Sequence, residues 1–249
     1  MITVNGMTIR LTDFHSHVLP EMDDGSQSLE ESLEMLKLLR AQGVDAVVLT
    51  PHFYPKNEDP VSFLERRAES ETKLIAALQT VDSAEVPQIF VGAEVAYFPS
   101  ISHSKNIREL CIRGTDTMLL EMPFERWTDT VIGEVIFMRR ELGMNVVLAH
   151  IDRYFNYLDS TAFARLISAG VYFQVNADAF SRFFLSRKLY RLMYGGNLHA
   201  LGSDCHNLTS RPSHMDVATD RICEKGYAMK LKGMMQKTQS LLNDAEPLV

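Results

Sequence analysis

The sequence is poor in the features that mark disulfide-rich, secreted or membrane-spanning proteins. Its 3 cysteines (Cys111, Cys205 and Cys223) are too few and too scattered for a disulfide framework, so we expect a reducing compartment. No apolar run approaches the roughly 18 residues of a membrane span, and the N-terminus lacks a signal-peptide pattern. We therefore expect a cytoplasmic protein with no membrane insertion.

Basic residues are also fewer than acidic ones. Lys and Arg number 25 against 32 Asp and Glu, giving a net charge of −7, and no basic stripe is present. This balance argues against nucleic-acid binding. With 13 Gly, 9 Pro and 46% hydrophobic residues in 249, the chain is not disordered and can bury a full core. No linker divides it, so we predict a single domain over 1–249, with 1–10 as an N-terminal extension.

Strands and helices alternate along the chain. Around Asn5-Gly6, a favoured two-residue turn, β-forming residues predict a short N-terminal hairpin. Beyond the lead-in that ends near Phe14, apolar segments predict strands at 44–50, 88–93, 118–120, 146–149, 171–175 and 198–203. Apolar periodicity and capping residues predict helices from Ser28 to Gly43 and at 59–81, 128–142, 161–169, 186–194, 213–225 and 228–242.

Seven strands separated by helices imply a parallel sheet, because each crossover returns the chain to the same end. We predict an α/β fold, a distorted (β/α)7 TIM-like barrel. In barrels of this kind the functional loops lie at the C-terminal ends of the strands.

Residues that can bind metal occupy those ends. His15 and His17 point the same way if the backbone is extended, and Asp24 follows on a loop. With the residues that end later strands, nine candidate ligands result: His15, His17, Asp24, His52, Glu94, Glu121, His150, Asp204 and His206. Any one of them is unremarkable, but burying the carboxylates together without cations would cost several kcal/mol each. We therefore predict a metal site.

Histidine and carboxylate ligands without cysteine suit Mn²⁺, Fe²⁺ or Zn²⁺. Nine ligands exceed the needs of one ion, so two or three ions are implied, with Glu94 as a bridging carboxylate. Arg153 and Arg211 lie just beyond the ligands, either as solvated loop charges or, as we favour, as partners for phosphate oxygens.

Several motifs together resemble one known family. They are His-Ser-His at 15–17, Asp-Asp-Gly at 23–25, Thr-Pro-His at 50–52, Gly-Ala-Glu at 92–94, Ala-His-Ile-Asp-Arg-Tyr at 149–154, and Ser-Asp-Cys-His-Asn with Arg-Pro-Ser-His-Met from 203 to 215. Over residues 12 to about 242 the chain is similar to bacterial tyrosine-protein phosphatases of the PHP (polymerase and histidinol phosphatase) superfamily, CpsB/YwqE type. At Asp152 it departs from them, because the family often has glutamate there.

The resemblance implies a protein-tyrosine phosphatase with a trinuclear, manganese-preferring site, acting on the phosphotyrosine tail of a bacterial kinase that controls capsule or exopolysaccharide synthesis. One ion would be held by His15, His17, Glu94 and Asp204, a second by Glu94, Glu121 and His150, and a third by Asp24, His52 and His206. A metal-bridging hydroxide would attack phosphorus, Arg153 and Arg211 would hold the phosphate, and His206 or a metal-bound water would protonate tyrosinate.

Two other functions and one other mechanism stay open at this point. A small-molecule phosphatase acting on a compound such as histidinol phosphate would use the same ligands, and a non-catalytic binding module is a further alternative. Cys205 and Arg211 have the Cys-x₅-Arg spacing of cysteine phosphatases, but the residues between them include no glycine, so we interpret the spacing as coincidence. The sequence leaves the oligomeric state open.

Overall fold

The structure, a computed structural model, describes residues 1–4 and 6–248 and has a mixed α/β architecture. Its strands are Ile2–Val4 (β1), Met7–Ile9 (β2), Leu11–Ser16 (β3), Val44–Leu49 (β4), His52–Phe53 (β5), Gln88–Val91 (β6), Glu94–Ala96 (β7), Thr117–Glu121 (β8), Asn145–Leu148 (β9), Tyr172–Asn176 (β10) and Ala200–Gly202 (β11). Its α-helices are Leu29–Ala41 (α1), Pro60–Leu78 (α2), Asp129–Arg140 (α3), Ser160–Ala169 (α4), Phe183–Tyr194 (α5), Met215–Glu224 (α6) and Ala228–Leu241 (α7).

Parallel pairing joins the strands into two sheets that together form a curled half-barrel. One sheet has the order β3-β4-β6 and the other the order β11-β10-β9-β8-β7-β5, with every neighbour parallel. The predicted alternation of strands and helices is confirmed. Just beyond the predicted strands at 44–50 and 88–93, the chain forms two further short strands, β5 and β7, which belong to the other sheet.

Helix ends follow the capping chemistry in most cases. The Ser28 side chain accepts a hydrogen bond from the amide of Glu31, and Asp59 caps α2 with Pro60 in its first turn. Helix α5 differs from its prediction, because it begins at Phe183 rather than Ser186. The residue before it, Arg182, makes no side-chain cap, so the sequence carried no start signal there.

The N-terminal hairpin is confirmed. β1 and β2 pair antiparallel, with Ile2 opposite Ile9 and Val4 opposite Met7. Gly6 has φ +75°, a left-handed conformation that glycine adopts without strain. Asn5, the other half of the predicted turn pair, lies outside the described residues.

Buried apolar residues form two clusters. The larger lies between the strands and the surrounding helices, and the smaller includes Phe14, Val48, Leu119 and Val147 from four different strands. Leu119 and Glu121 lie on the same face of β8, since side chains repeat every second residue in a strand. The smaller cluster thus packs on the same face of β8 as Glu121 and supports the strand ends. Within residues 1–4 and 6–248, no helix has both the length and the apolar composition that crossing a membrane requires.

Candidate metal centre

A buried carboxylate surrounded by histidines forms the middle of the site. Glu94, the first residue of β7, is 1% exposed. Its Oε2 lies 3.2 Å from His15 Nε2, 3.4 Å from His17 Nε2 and 2.9 Å from His52 Nδ1. Its Oε1 lies 2.9 Å from His150 Nε2. Four imidazoles therefore converge on one carboxylate, two of them from the end of β3, one from β5 and one from the turn after β9.

A second carboxylate lies close to the same two histidine nitrogens. Asp204 Oδ1 is 3.7 Å from His15 Nε2 and 3.5 Å from His17 Nε2. The same oxygen is 3.6 Å from His206 Nδ1. Asp204 follows β11, and the amide of Asp204 donates to the carbonyl of His15, which fixes this strand end beside β3.

Two more carboxylates lie nearer the surface. Asp24 Oδ1 is 3.6 Å from His52 Nε2 and 3.4 Å from His206 Nε2, and Glu121 Oε1 is 3.5 Å from His150 Nε2. All nine predicted ligands therefore meet in one cluster at the C-terminal ends of the strands.

Three subsets of the cluster place ligand atoms within 4.8 Å of one another. They are His15 with His17 and Asp204; His17 with Asp24, His52 and His206; and His52 with Glu94 and Glu121. The first two resemble the predicted first and third ion sites. The subset around Glu121 includes His52 where we predicted His150, and the division of ligands among ions stays a prediction.

The hydrogen bonding of the cluster fits a metal centre. Among the described residues, three buried polar atoms that face other members of the cluster have no hydrogen-bond partner in the protein: His52 Nδ1, Glu94 Oε2 and His206 Nε2. Glu94 Oε2 and His52 Nδ1 are 2.9 Å apart without the geometry of a hydrogen bond. Buried polar groups left unpaired are costly, whereas divalent cations coordinate atoms of these types directly.

The electrostatics of the cluster also favours cations. Burial lowers the pKa of His17, but the carboxylates of Asp23 and Glu94 outweigh it and raise that pKa to about 10. For His150 burial again opposes the shift, and Glu121 and Glu94 raise the pKa to about 9. The negative potential that would hold protons on these imidazoles equally attracts divalent ions, which bind the neutral rings.

His206 differs from the other histidines. Burial and the neighbouring His17 lower its pKa to about 4, although Asp204 acts in the opposite direction. Its ring is therefore neutral at pH 7, which suits a ligand better than a proton donor.

The residues that orient the ligands were not predicted from the sequence. Gln174 Oε1 accepts a hydrogen bond from the amide of His150, and Gln174 Nε2 donates to Asn176 Oδ1. Asn176 Nδ2 in turn donates to Asp204 Oδ2 at 2.9 Å. The available signal was the placement of two amides at i and i+2 in the otherwise apolar β10, which puts both on one face.

Asp23 was also missed as a site residue in favour of its neighbour Asp24. Its Oδ2 accepts from His17 Nδ1 at 2.7 Å and from the amide of His52 at 2.8 Å. The contact fixes the His17 tautomer with Nε2 facing Glu94 and Asp204. Despite burial, the His17 contact holds the pKa of Asp23 below its ordinary value, so it stays ionised.

We expect Asp23→Asn to lower the affinity for Mn²⁺ by about 10- to 100-fold while the fold persists. The amide has no charge to support His17, and its NH₂ group would face an N–H donor, because both carboxylate oxygens of Asp23 accept hydrogen bonds. Calorimetric titration of the metal-free protein with Mn²⁺ measures the change. Asp216→Asn, on the exposed face of α6, is the control. Equal affinities in the two variants would contradict the orienting role of Asp23.

Close backbone packing shapes the cluster at two glycines. A Cβ on Gly25 would lie 2.3 Å from the carbonyl oxygen of His17, and one on Gly202 would lie 2.6 Å from His15 Cβ. His150 and Asp204 have φ of 29° and 52°, left-handed values that are unusual for non-glycine residues. Backbone strain therefore coincides with two of the predicted ligands, as it often does at functional sites.

The two arginines border the cluster on its solvent side. Arg153 pairs with Asp204 Oδ2, and Arg211 Nη2 lies 3.1 Å from Asp204 Oδ1. Their side chains are 35% and 38% exposed, so each retains N–H groups directed away from Asp204. Asp152 accepts from the amide of Asn176 at 3.0 Å and supports the turn that carries Arg153.

The burial and the thiol pKa of Cys205 are the opposite of those that a catalytic cysteine needs. Its side chain is 1% exposed, and burial together with Asp13 raises the pKa of its thiol above the ordinary value. Reactive cysteines need a lowered pKa and access to substrate. The three other histidines, His103, His199 and His214, lie outside the groups of potential ligands found among the described residues.

Comparisons with known proteins place these observations in a family. The family model for capsular polysaccharide synthesis proteins of the CpsB/CapC type matches residues 11–242. Tyrosine-protein phosphatase CpsB of Streptococcus agalactiae is 28% identical over 94% of this chain and 99% of its own length. Tyrosine-protein phosphatase YwqE of Bacillus subtilis is 26% identical over 93% of this chain and 91% of its own length.

Solved structures share the fold. A structure described among those of YwqE from Bacillus subtilis and CpsB from Streptococcus pneumoniae, "unique metal-dependent tyrosine phosphatases", superposes with a TM-score of 0.79, 23% identity and coverage of 95% and 96% of the two chains. The phosphotriesterase homology protein of Escherichia coli, with phosphate in its active site, gives a TM-score of 0.55 at 10% identity over 94% and 98%. The resemblance inferred from the motifs is confirmed: the chain belongs to the CpsB/CapC family of capsular polysaccharide synthesis proteins.

Proposed function

We propose that this protein is a metal-dependent protein-tyrosine phosphatase, a phosphoric-monoester hydrolase. The observation that carries the proposal is the convergence of four imidazoles on the buried Glu94 carboxylate, next to a pair of partly exposed arginines. Relatives that match almost the whole chain are named tyrosine-protein phosphatases, which supports the same activity here.

The nine clustered residues hold two or three divalent ions in this proposal, Mn²⁺ by preference, with Fe or Zn as alternatives. The mixture of imidazole nitrogen and carboxylate oxygen supports these metals. When bound, the ions supply Lewis-acid stabilisation of phosphoryl oxygens and activate the attacking water.

The chain's own groups bind and orient the substrate. The free N–H groups of Arg153 and Arg211 bind the non-bridging phosphate oxygens in fork geometry, while Asp204 holds both guanidiniums in place. His206 is assigned as a ligand, since its neutral ring makes it a poor acid. The tyrosine phenol has an ordinary pKa of about 10, so tyrosinate leaves without a strong acid.

The entrance of the site fits a phenyl ring. Tyr54, 37% exposed, stacks on His52 with centroids 4.8 Å apart, and Phe124, 51% exposed, stacks on His150 at 6.0 Å. An aromatic ring that carries the phosphate can pack against either side chain. We take the substrate to be the phosphorylated tail of a bacterial tyrosine kinase that controls capsule or exopolysaccharide synthesis, which agrees with the function of the family.

We propose further that the strands close into a complete seven-unit barrel forming one domain over 1–249, with 1–10 as an extension. The support is contact between β3 and the segment that follows β11. Ser16 and Cys205 form a parallel bridge, and the amide of His17 donates to the carbonyl of Cys205 at 2.9 Å. Asp13 accepts from both the amide and the hydroxyl of Ser203 across the same seam. A cytoplasmic location stays a prediction.

Chelation tests the proposal directly. We expect a chelator to abolish hydrolysis of a phosphotyrosine peptide and Mn²⁺ to restore it, because the proposed attack depends on a water activated by the ions. His150→Ala should lower turnover at least about a hundredfold, since one ligand to the site is lost. Cys205→Ser should retain most of it. Loss of activity in Cys205→Ser together with indifference to chelator would overturn the mechanism.

Substrate comparison separates the remaining alternatives. Faster turnover of histidinol phosphate than of phosphotyrosine peptide would favour a small-molecule phosphatase. Metal-loaded protein that binds the peptide but releases no phosphate would be a binding module.

A further inference from the structure

A cavity of about 900 Å³ opens beside the cluster. Aromatic rings and prolines dominate its wall, which includes Tyr54, Tyr97, Phe98, Pro99 and Pro123. We call it the aromatic cleft. None of these side chains is among the predicted ligands. Tyr54 also borders the site entrance described above, whereas the rest of the cleft has no role there.

The chain connects the cleft to the metal-ligand cluster in three places. Beyond the ligand His52 the chain reaches Tyr54, beyond Glu94 it reaches Tyr97, and beyond Glu121 it reaches Pro123. Each step is two or three residues of extended chain, roughly 7–10 Å. If the substrate peptide is extended, one of its side chains can therefore lie in the cleft while a phosphate a few residues away in the same peptide is bound at the cluster.

The charges of the cleft differ from those at the phosphate position. Glu134 Oε2 accepts from the hydroxyl of Tyr97 and its Oε1 accepts from Ser102 Oγ at 3.1 Å, which holds a carboxylate in the wall. Glu125 adds a second carboxylate, and Lys56 is the one Lys or Arg side chain in the described lining. The cleft therefore disfavours an acidic or phosphorylated side chain, whereas its rings and prolines favour a neutral aromatic one.

We propose that the aromatic cleft binds an uncharged aromatic side chain of the phosphoprotein substrate, two or three residues from the phosphotyrosine. The inference rests on the proposed phosphatase function and adds to it a sequence preference. The cleft acts through binding of the flanking residue, so it selects among phosphotyrosine sites without taking part in the chemistry.

The test is a peptide series. Peptides carry one phosphotyrosine and either Phe, Ala or Glu at each of the three positions on both sides, and kcat/KM is measured with Mn²⁺-loaded enzyme. p-Nitrophenyl phosphate, which has no flanking residue, reports the chemistry alone. We expect Phe to exceed Ala about tenfold at one or more positions, as burial of a ring predicts, and Glu to be worse than Ala there.

Two variants connect the preference to the cleft. Thr130→Trp fills the cleft from the exposed first turn of α3, and Phe98→Ala removes part of the wall. Each should abolish the preference for Phe while turnover of p-nitrophenyl phosphate stays within about twofold. Thr72→Trp, on an exposed face of α2, is the matched control and should keep the preference. Thermal melting confirms that each variant is folded.

The outcomes separate the two proposals. Hydrolysis of all peptides at equal rates, or a preference for Phe that persists in both cleft variants, would contradict the proposed binding by the aromatic cleft. Either result would leave the phosphatase function intact. Preference for Glu over Phe would also overturn it. Failure to hydrolyse either the peptides or p-nitrophenyl phosphate would overturn the phosphatase function and the inference with it.

Discussion

Glu94→Gln is expected to lower kcat/KM for a phosphotyrosine peptide by at least about a thousandfold. The side chain keeps its size, so packing at this 1%-exposed position is preserved. What changes is the charge and one oxygen of a carboxylate that lies within 3.4 Å of four histidine nitrogens. An amide nitrogen cannot ligate a cation, so the negative potential and the shared ligand are lost together.

Metal content distinguishes this explanation from simple misfolding. Elemental analysis of Glu94→Gln after loading with Mn²⁺ should show at least one ion fewer than wild type, with the circular dichroism spectrum unchanged. Glu69→Gln, exposed on α2, should match wild type in both measurements. Full activity with full metal content in Glu94→Gln would contradict the role of Glu94 as the central ligand of the site.

For the arginines, the double variant Arg153→Ala with Arg211→Ala is expected to lose about a thousandfold in kcat/KM while its metal content stays at the wild-type level. Each charge-assisted hydrogen bond to phosphate contributes about 1.5–3 kcal/mol, and two are lost. Lysine at either position should restore only part of the loss, because an ammonium cannot bind two oxygens in fork geometry. Inhibition by inorganic phosphate should weaken in parallel.

The alternative for these arginines is that they only hold carboxylates of the cluster, since both contact Asp204 and Arg211 also lies 3.5 Å from Asp24 Oδ2. In that case the double variant would lose metal along with activity, and its phosphate inhibition constant, measured at saturating Mn²⁺, would be unchanged. Arg165→Ala, which removes an exposed arginine of α4 paired with Asp129, serves as the control. The comparison of metal content with phosphate inhibition therefore assigns the role.

Much of the cluster was predictable because parallel strands deliver their C-terminal ends to one edge. His150 and Asp204 were identified as polar residues that follow apolar segments and as members of the family motifs, and both lie in the cluster. Asp23 was passed over for Asp24 because adjacent loop residues carry no periodicity that shows which of them faces inward. The aromatic cleft was not foreseen, since several separate loops form its wall.

By itself the sequence determined the alternation of strands and helices, the set of potential ligands and the family, because local periodicity and residue type carry that information. Only the tertiary structure decided the partners: Asp23 with His17, Asn176 with Asp204, and Asp13 with Ser203, a pair separated by 190 positions. These contacts depend on side-chain directions in loops and on strands meeting across the fold. No spacing in the chain encodes either, and packing of the whole molecule fixes both.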